Sequence, residues 1–284
     1  MKELIEIYKK IELDHRLLQI YNKEIVPPNF FDTWKPVEDF FYPFPPFFIP
    51  LFVDQGDPSY IGVIHHFFTN RTPVFVQYDL SAGYMWEIAR NSDQLLQDIL
   101  IQSIEANDDI IDSSIESFAQ EINMNIDKAF LNTYNNEYDG DAFDTYKLFD
   151  LFSNETPSAY VDSLSDYDGD FPSVKDEMNP KTIQKLSSFE IDEEIDVSEI
   201  DNLPIWIHED IDKNKMFEEF MSNLDFEKAW FTLNSKNWKY SDVKEKLTNL
   251  RQQTTVDPIF KLISKTWINQ WSKSNFAEKQ DFIY

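Results

Sequence analysis

Between Phe47 and Ala89 the chain alternates short apolar runs with turn-forming residues, a rhythm that constrains its fold more than any other feature. The runs are FFIPLFV, YIGVIHHFF, PVFVQYD and YMWEIA, separated by DQGDPS, TNRT and LSAG. In the third run Val74, Val76 and Tyr78 alternate with Phe75, Gln77 and Asp79. In the fourth, Tyr84, Trp86 and Ile88 alternate with Met85, Glu87 and Ala89. Successive strand side chains point to opposite faces, so this spacing predicts an antiparallel meander with one deeply buried face.

The flanks read as helix. Leu4, Ile7, Tyr8, Ile11 and Leu18 recur at helical spacing, and a narrower stripe of Leu13, Leu17 and Ile20 lies opposite, which predicts one N-terminal helix covered on both sides. Pro27 and Pro28 end it. The following stretch NFFDTWKPVEDFFYPFPPFF is too rich in proline for a regular helix, and its rings are expected to wrap a core. Ser92 offers an N-cap to a helix carrying Leu95, Leu96, Ile99 and Leu100. Beyond it, Ile111, Ile115, Phe118, Ile122, Ile126 and Ala129 form a single apolar stripe. Further amphipathic runs cover Met216–Leu224, Phe226–Leu233, Val243–Leu250 and Ile259–Trp271.

Charge separates the chain into regions. With 25 basic and 52 acidic side chains the net charge is −27, divided as 8 and 14 over residues 1–100, 5 and 28 over 101–210, and 12 and 10 over 211–284. The middle third therefore carries 5 − 28 = −23. Its stretch from Tyr134 to Asp176 reads as loop, followed by a second acidic block, EIDEEIDVSEID, at Glu190–Asp201. Hydrophobic residues at 42% and aromatics at 16% exceed what an acidic disordered tail contains, so folding is expected. Nucleic-acid binders gain affinity by neutralising phosphates, which so negative a chain cannot do; a basic protein is the expected partner.

The meander resembles the SUKH superfamily, which includes Smi/Knr-type cell-wall regulators and many bacterial immunity proteins. The resemblance rests on Ile49-Pro50-Leu51 running into the turn Asp54-Gln-Gly56-Asp57, then Tyr60-Ile-Gly-Val, then Pro73-Val-Phe-Val-Gln-Tyr78-Asp79, and Ile88-Ala-Arg-Asn-Ser92 opening a helix. It covers residues 1–104; the Pro27-Pro28 and Phe-Trp-rich stretch replaces the Asn-Gly or Gly-Gly turn that many members carry. The expected fold class is α+β: a SUKH-like antiparallel sheet flanked by helices over 1–104, with an acidic, mainly helical extension over 105–284 and a flexible segment about 134–201. The resemblance implies an immunity or antitoxin-type protein that neutralises a toxin, often a nuclease, by direct binding. A scaffold or regulatory protein binding an endogenous partner stays open beside it.

Candidate contacts with a basic partner are Asp54, Asp57 and Tyr60 at the sheet turn, and Asp139, Asp141, Asp144, Asp166, Asp168 and Asp170 in the acidic segment. The repeated Tyr-Asp-Gly-Asp of residues 138–141 and 167–170 completes no EF-hand spacing, so Asp-Gly turns are the expectation rather than calcium sites. His65 and His66, adjacent in a strand, would face opposite ways and could not share a metal. The five glycines, at 56, 62, 83, 140 and 169, form no phosphate-binding loop, and no serine sits in a G-x-S-x-G elbow. With zero cysteines there is no thiolate ligand or nucleophile and no disulfide. A non-enzymatic chain without metal or cofactor is expected. The acidic N-terminal residues and the proline-interrupted run Phe40–Val53 argue against a signal peptide and a membrane span, and favour a cytoplasmic location.

Overall fold

The predicted N-terminal helix is two helices. In the computed structural model, which describes residues 2–40, 42–136, 146–174, 177–192, 194–253 and 257–273, α1 spans Lys2–Lys10 and α2 spans His15–Tyr21. Glu12 between them takes a left-handed backbone (φ 56°), and Asp14 caps α2 by accepting from the Arg16 amide at 2.8 Å. The first stripe therefore crosses the break, with Leu4, Ile7 and Tyr8 buried from α1 and Leu18 in α2, while Leu17 and Ile20 of the second stripe are buried from α2. A cap residue in mid-pattern was the signal that distinguishes the two cases.

The meander forms as predicted, with one added edge strand. After the single turn α3 (Phe30–Thr33), strands β1 (Trp34–Pro36), β2 (Phe48–Asp54), β3 (Ser59–Ile64), β4 (Val74–Asp79) and β5 (Tyr84–Ala89) make one antiparallel sheet in chain order. Registers such as Phe48↔Ile64, Tyr60↔Tyr78 and Asp79↔Tyr84 hold it, with bulges at Pro50/Phe52 and Phe75/Val76. Pro50, which cannot donate to a ladder, stands at the first bulge. Opposite it, Gly62 has no alternative: a Cβ there would lie 2.5 Å from the Ile49 carbonyl oxygen and from the Phe48 ring.

Both faces of the sheet are covered, where one buried face was expected. Phe48–Val53 and all of β3 are buried. The C-terminal half accounts for much of the cover. Asn234 accepts from the Phe47 amide at 2.8 Å, the Trp267 indole donates to the Phe44 carbonyl at 3.2 Å, and the Trp271 ring lies 5.5 Å from that of Phe44. The aromatic stretch does wrap the core, with Phe30, Trp34, Phe44, Phe47 and Phe48 nearly inaccessible.

Helix α4 (Ser92–Glu105) is capped by Asn91, which accepts from the Gln94 amide, rather than by Ser92. The stripe from Ile111 to Ala129 divides into α5 (Ser113–Glu121), capped by Asp112, and α6 (Lys128–Asn136), with left-handed Asn123 between them. From Tyr146 the backbone is mostly short 3-10 turns, with one helical turn α7 (Asp150–Ser153) and a two-residue ribbon, β6 (Ser173–Val174) and β7 (Glu177–Met178). Four helices follow: α8 (Lys213–Ser222), α9 (Phe226–Leu233), α10 (Tyr240–Gln253) and α11 (Pro258–Trp271), the last packed on α1. One continuous apolar cluster contains residues of α1, the sheet, the 146–190 segment and α9–α11, so the core shows no break at the expected boundary near residue 104. Among the described residues no helix is long and apolar enough to cross a membrane.

Candidate partner-binding surface

The acidic middle is anchored to the sheet by buried polar contacts. Arg71, in the loop before β4, meets Glu190 at 2.5 Å with both side chains almost fully buried. Arg71 also donates to the Lys185 carbonyl at 3.0 Å, and Glu190 accepts from the Ser187 amide at 2.8 Å in a capping box. His66 Nε2 lies 3.0 Å from Arg71 Nη1. Arginine can only donate, so Nε2 accepts and the ring is neutral, with its proton on Nδ1. Burial, reinforced by the neighbouring Arg71 charge, holds His66 well below the usual histidine range.

Two carboxyls complete the anchorage. Glu87 on β5 is inaccessible and accepts from the Ser158 amide at 2.7 Å; burial pushes it up to about 7. Asp98 on α4 accepts from the Tyr146 hydroxyl and from Gln102, each at 2.8 Å, and burial raises it likewise to about 7. Each carboxyl holds the 146–160 stretch against the α/β core. Shifted carboxyls of this kind also occur at catalytic centres, but here the partners are a main-chain amide, a tyrosine and a glutamine already engaged in packing.

The predicted contact residues do not form one surface. Asp54 and Asp57 are at the β2–β3 turn, where Asp54 accepts from the Gly56 and Asp57 amides at 2.6 and 2.9 Å. Tyr60 is 0% exposed, its hydroxyl accepting from the Tyr42 amide at 2.8 Å, so it is a core residue and not a contact; its place in a strand buried on both faces explains the difference. Asp168 pairs with Arg90 and Asp170 accepts from Thr72. Arg90 and Thr72 flank the opposite end of the sheet from the Asp54 turn, a strand length of about 17–20 Å away. Asp166 is exposed. Asp139, Asp141 and Asp144 lie outside the described residues. Among the described residues no three His, Asp or Glu side chains are grouped to hold a metal ion.

A different surface emerges from the second acidic block. Between Leu186 and Asp212 there is no lysine or arginine. Glu194, Asp196, Glu199, Asp201, Glu209, Asp210 and Asp212 are exposed there, while Glu190 is spent internally on Arg71. The apolar residues interleaved with these acids range from buried Ile195 to exposed Val197, and the rest of those at the groove are half-buried. Ile191, Ile195, Val197, Ile200, Leu203 and Ile207 line a groove of about 650 Å³, also bordered by Asp192, Glu209, Lys213 and Lys236. Lys213 is 8% exposed, donates to the Lys236 carbonyl at 2.6 Å, and is pushed down to about 8 by burial, so it remains mostly charged at neutral pH. A neighbouring groove of about 530 Å³ continues past Leu203 along Ile205, Trp206, Ile211 and Phe220. Trp206 is fixed there by its indole donating to the Leu186 carbonyl at 2.9 Å and by stacking on Phe231.

This surface was visible in the sequence only as charge. The second signal was the regular return of an aliphatic residue every two to four positions, from Ile191 to Leu203, which a merely solvating acidic run does not need. Comparison with family models, curated proteins and solved structures found no match.

Proposed function

We propose that the chain is a non-catalytic binder of a basic protein, of the immunity or antitoxin type implied by the SUKH resemblance, and that it acts in the cytoplasm by occluding the cationic cleft of a toxin such as a nuclease. The observation that carries this reading is the 186–212 stretch, which exposes seven carboxylates among its described residues, with no lysine or arginine between them, beside a groove lined by isoleucine, valine and leucine and bordered by Asp192, Glu209, Lys213 and Lys236. Carboxylates at a rim speed association and reject acidic partners, while a desolvated apolar floor supplies affinity. A nuclease has the complementary potential, because it must hold phosphates.

The test is to ask whether the neighbouring reading frame encodes a large protein ending in a small basic domain, then to co-express that domain with the chain and titrate the purified pair by calorimetry; metabolic neighbours instead would count against the proposal. A complex whose affinity falls steeply between low and physiological salt supports the reading, since exposed charges are screened over about 8–10 Å. Changing Asp192→Asn, Glu194→Gln, Asp196→Asn and Glu199→Gln together should weaken it roughly tenfold to a hundredfold, at about 0.2–1 kcal/mol per rim pair. No complex, or one indifferent to salt and to these four changes, contradicts the proposal.

A further inference from the structure

A separate cavity of about 310 Å³ opens between α2, α4, the α5–α6 connection and α7. Its size is at the lower end of small-molecule sites. Arg16 is its one basic lining residue, and the structure has already engaged it: Nη2 pairs with Asp14 at 2.8 Å and Asp93 at 2.6 Å, and Nη1 donates to the Ile122 carbonyl at 2.9 Å. Two carboxylates therefore offset one guanidinium. Asp127 and Asp150, which also line the cavity, form no ion pair among the described residues, so the lining is left net negative.

Two further features accompany that charge. The rings of Phe130 and Phe149 meet in the wall at 5.1 Å between centroids, and an aromatic face attracts a cation while packing an apolar body. Gln97 lines the same cavity at only 5% exposure, yet its buried Nε2 has no hydrogen-bond partner. A buried donor left unpaired carries an uncompensated desolvation penalty, which an acceptor on a ligand would relieve.

We propose that this cavity is a binding site for a small organic cation that carries an apolar body and one uncharged acceptor oxygen. The ammonium lies toward Asp127 and Asp150, the body against Phe130 and Phe149, and the oxygen accepts from Gln97. The site is independent of the acidic groove and of any toxin.

Phenylalaninamide supplies all three features and is the probe, titrated by calorimetry below neutral pH, where its amine is charged. Saturable one-to-one binding is expected. Affinity should drop about tenfold or more for phenethylamine, which lacks the acceptor, and for hydrocinnamamide, which lacks the charge. Asp127→Asn with Asp150→Asn should weaken phenylalaninamide by a similar factor without a loss of thermal stability, because asparagine retains the cap that Asp127 gives to the Ala129 and Phe130 amides at 2.8 and 3.0 Å. No heat with phenylalaninamide, equal binding of phenylacetate, or full affinity in the double variant would overturn the assignment.

Discussion

The β-meander over 34–89 and the acidic segment over 146–212 are held by different means. In the meander, strand pairing and apolar alternation do the work, and the order of strands is the order of the chain. The acidic segment has only short turns and a two-residue ribbon, yet Tyr146, Phe152, Tyr160, Phe171 and Phe189 are buried and four carboxyl contacts fasten it, at Glu87, Asp98, Asp168 and Glu190. The lesson is that high acid content here does not mean a detached solvating loop. A few buried acids act as fasteners, and the exposed remainder is left to define a surface.

Breaking the strongest fastener should show the largest effect. Glu190→Ala leaves the Arg71 guanidinium buried without its carboxylate and should destabilise the fold by about 3–5 kcal/mol, read by urea denaturation. By contrast Asp162→Ala, which removes an exposed partner of Lys147, should cost less than about 1 kcal/mol.

A pH series sharpens the comparison next. Glu87 and Asp98 titrate near 7 when folded, against ordinary values of 4.5 and 3.8. The folded state then holds more protons than the unfolded one across that interval, so stability is greatest below about pH 4 to 5 for these two groups and declines as pH rises toward 7. Stability should be greater at pH 5 than at pH 8, by about 2–4 kcal/mol per group at most, and is read as a higher melting temperature at pH 5. Glu87→Gln should flatten part of that slope and gain stability at pH 8; an unchanged slope would remove Glu87 as a cause.

A more modest effect than that of Glu190→Ala belongs to the conventional part of the molecule. Asp14→Ala removes the cap that starts α2 and one partner of Arg16, and should cost about 1–2 kcal/mol. A loss comparable to that of Glu190→Ala would mean that the helix break at Glu12–Asp14 matters more than the anchorage of the acidic segment.

Legibility followed the same division. The four runs from FFIPLFV to YMWEIA gave four strands in the expected places, because period-two patterning reports strand geometry directly. Helix continuity was misread at Glu12 and Asn123, where left-handed residues followed by the caps Asp14 and Asp127 interrupt an unbroken apolar period. The contact between Arg71 and Glu190, 119 positions apart, leaves no local trace at all. Tyr60 was misplaced for a related reason: its position beside a polar turn suggests exposure, and only the second layer covering the sheet buries it. The groove from Ile191 to Ile207 was half legible, its acids as charge and its apolar floor only once the chain is seen to turn back on itself.

Native-state hydrogen exchange of the protein alone is the most direct test that the acidic segment is built into the fold. The Ser158 and Ser187 amides, which donate to Glu87 and Glu190 at 2.7 and 2.8 Å, should be protected to nearly the same extent as amides of β3 and β4. Exchange of both serines at the rate of an unstructured chain, with the meander still protected, would contradict the account.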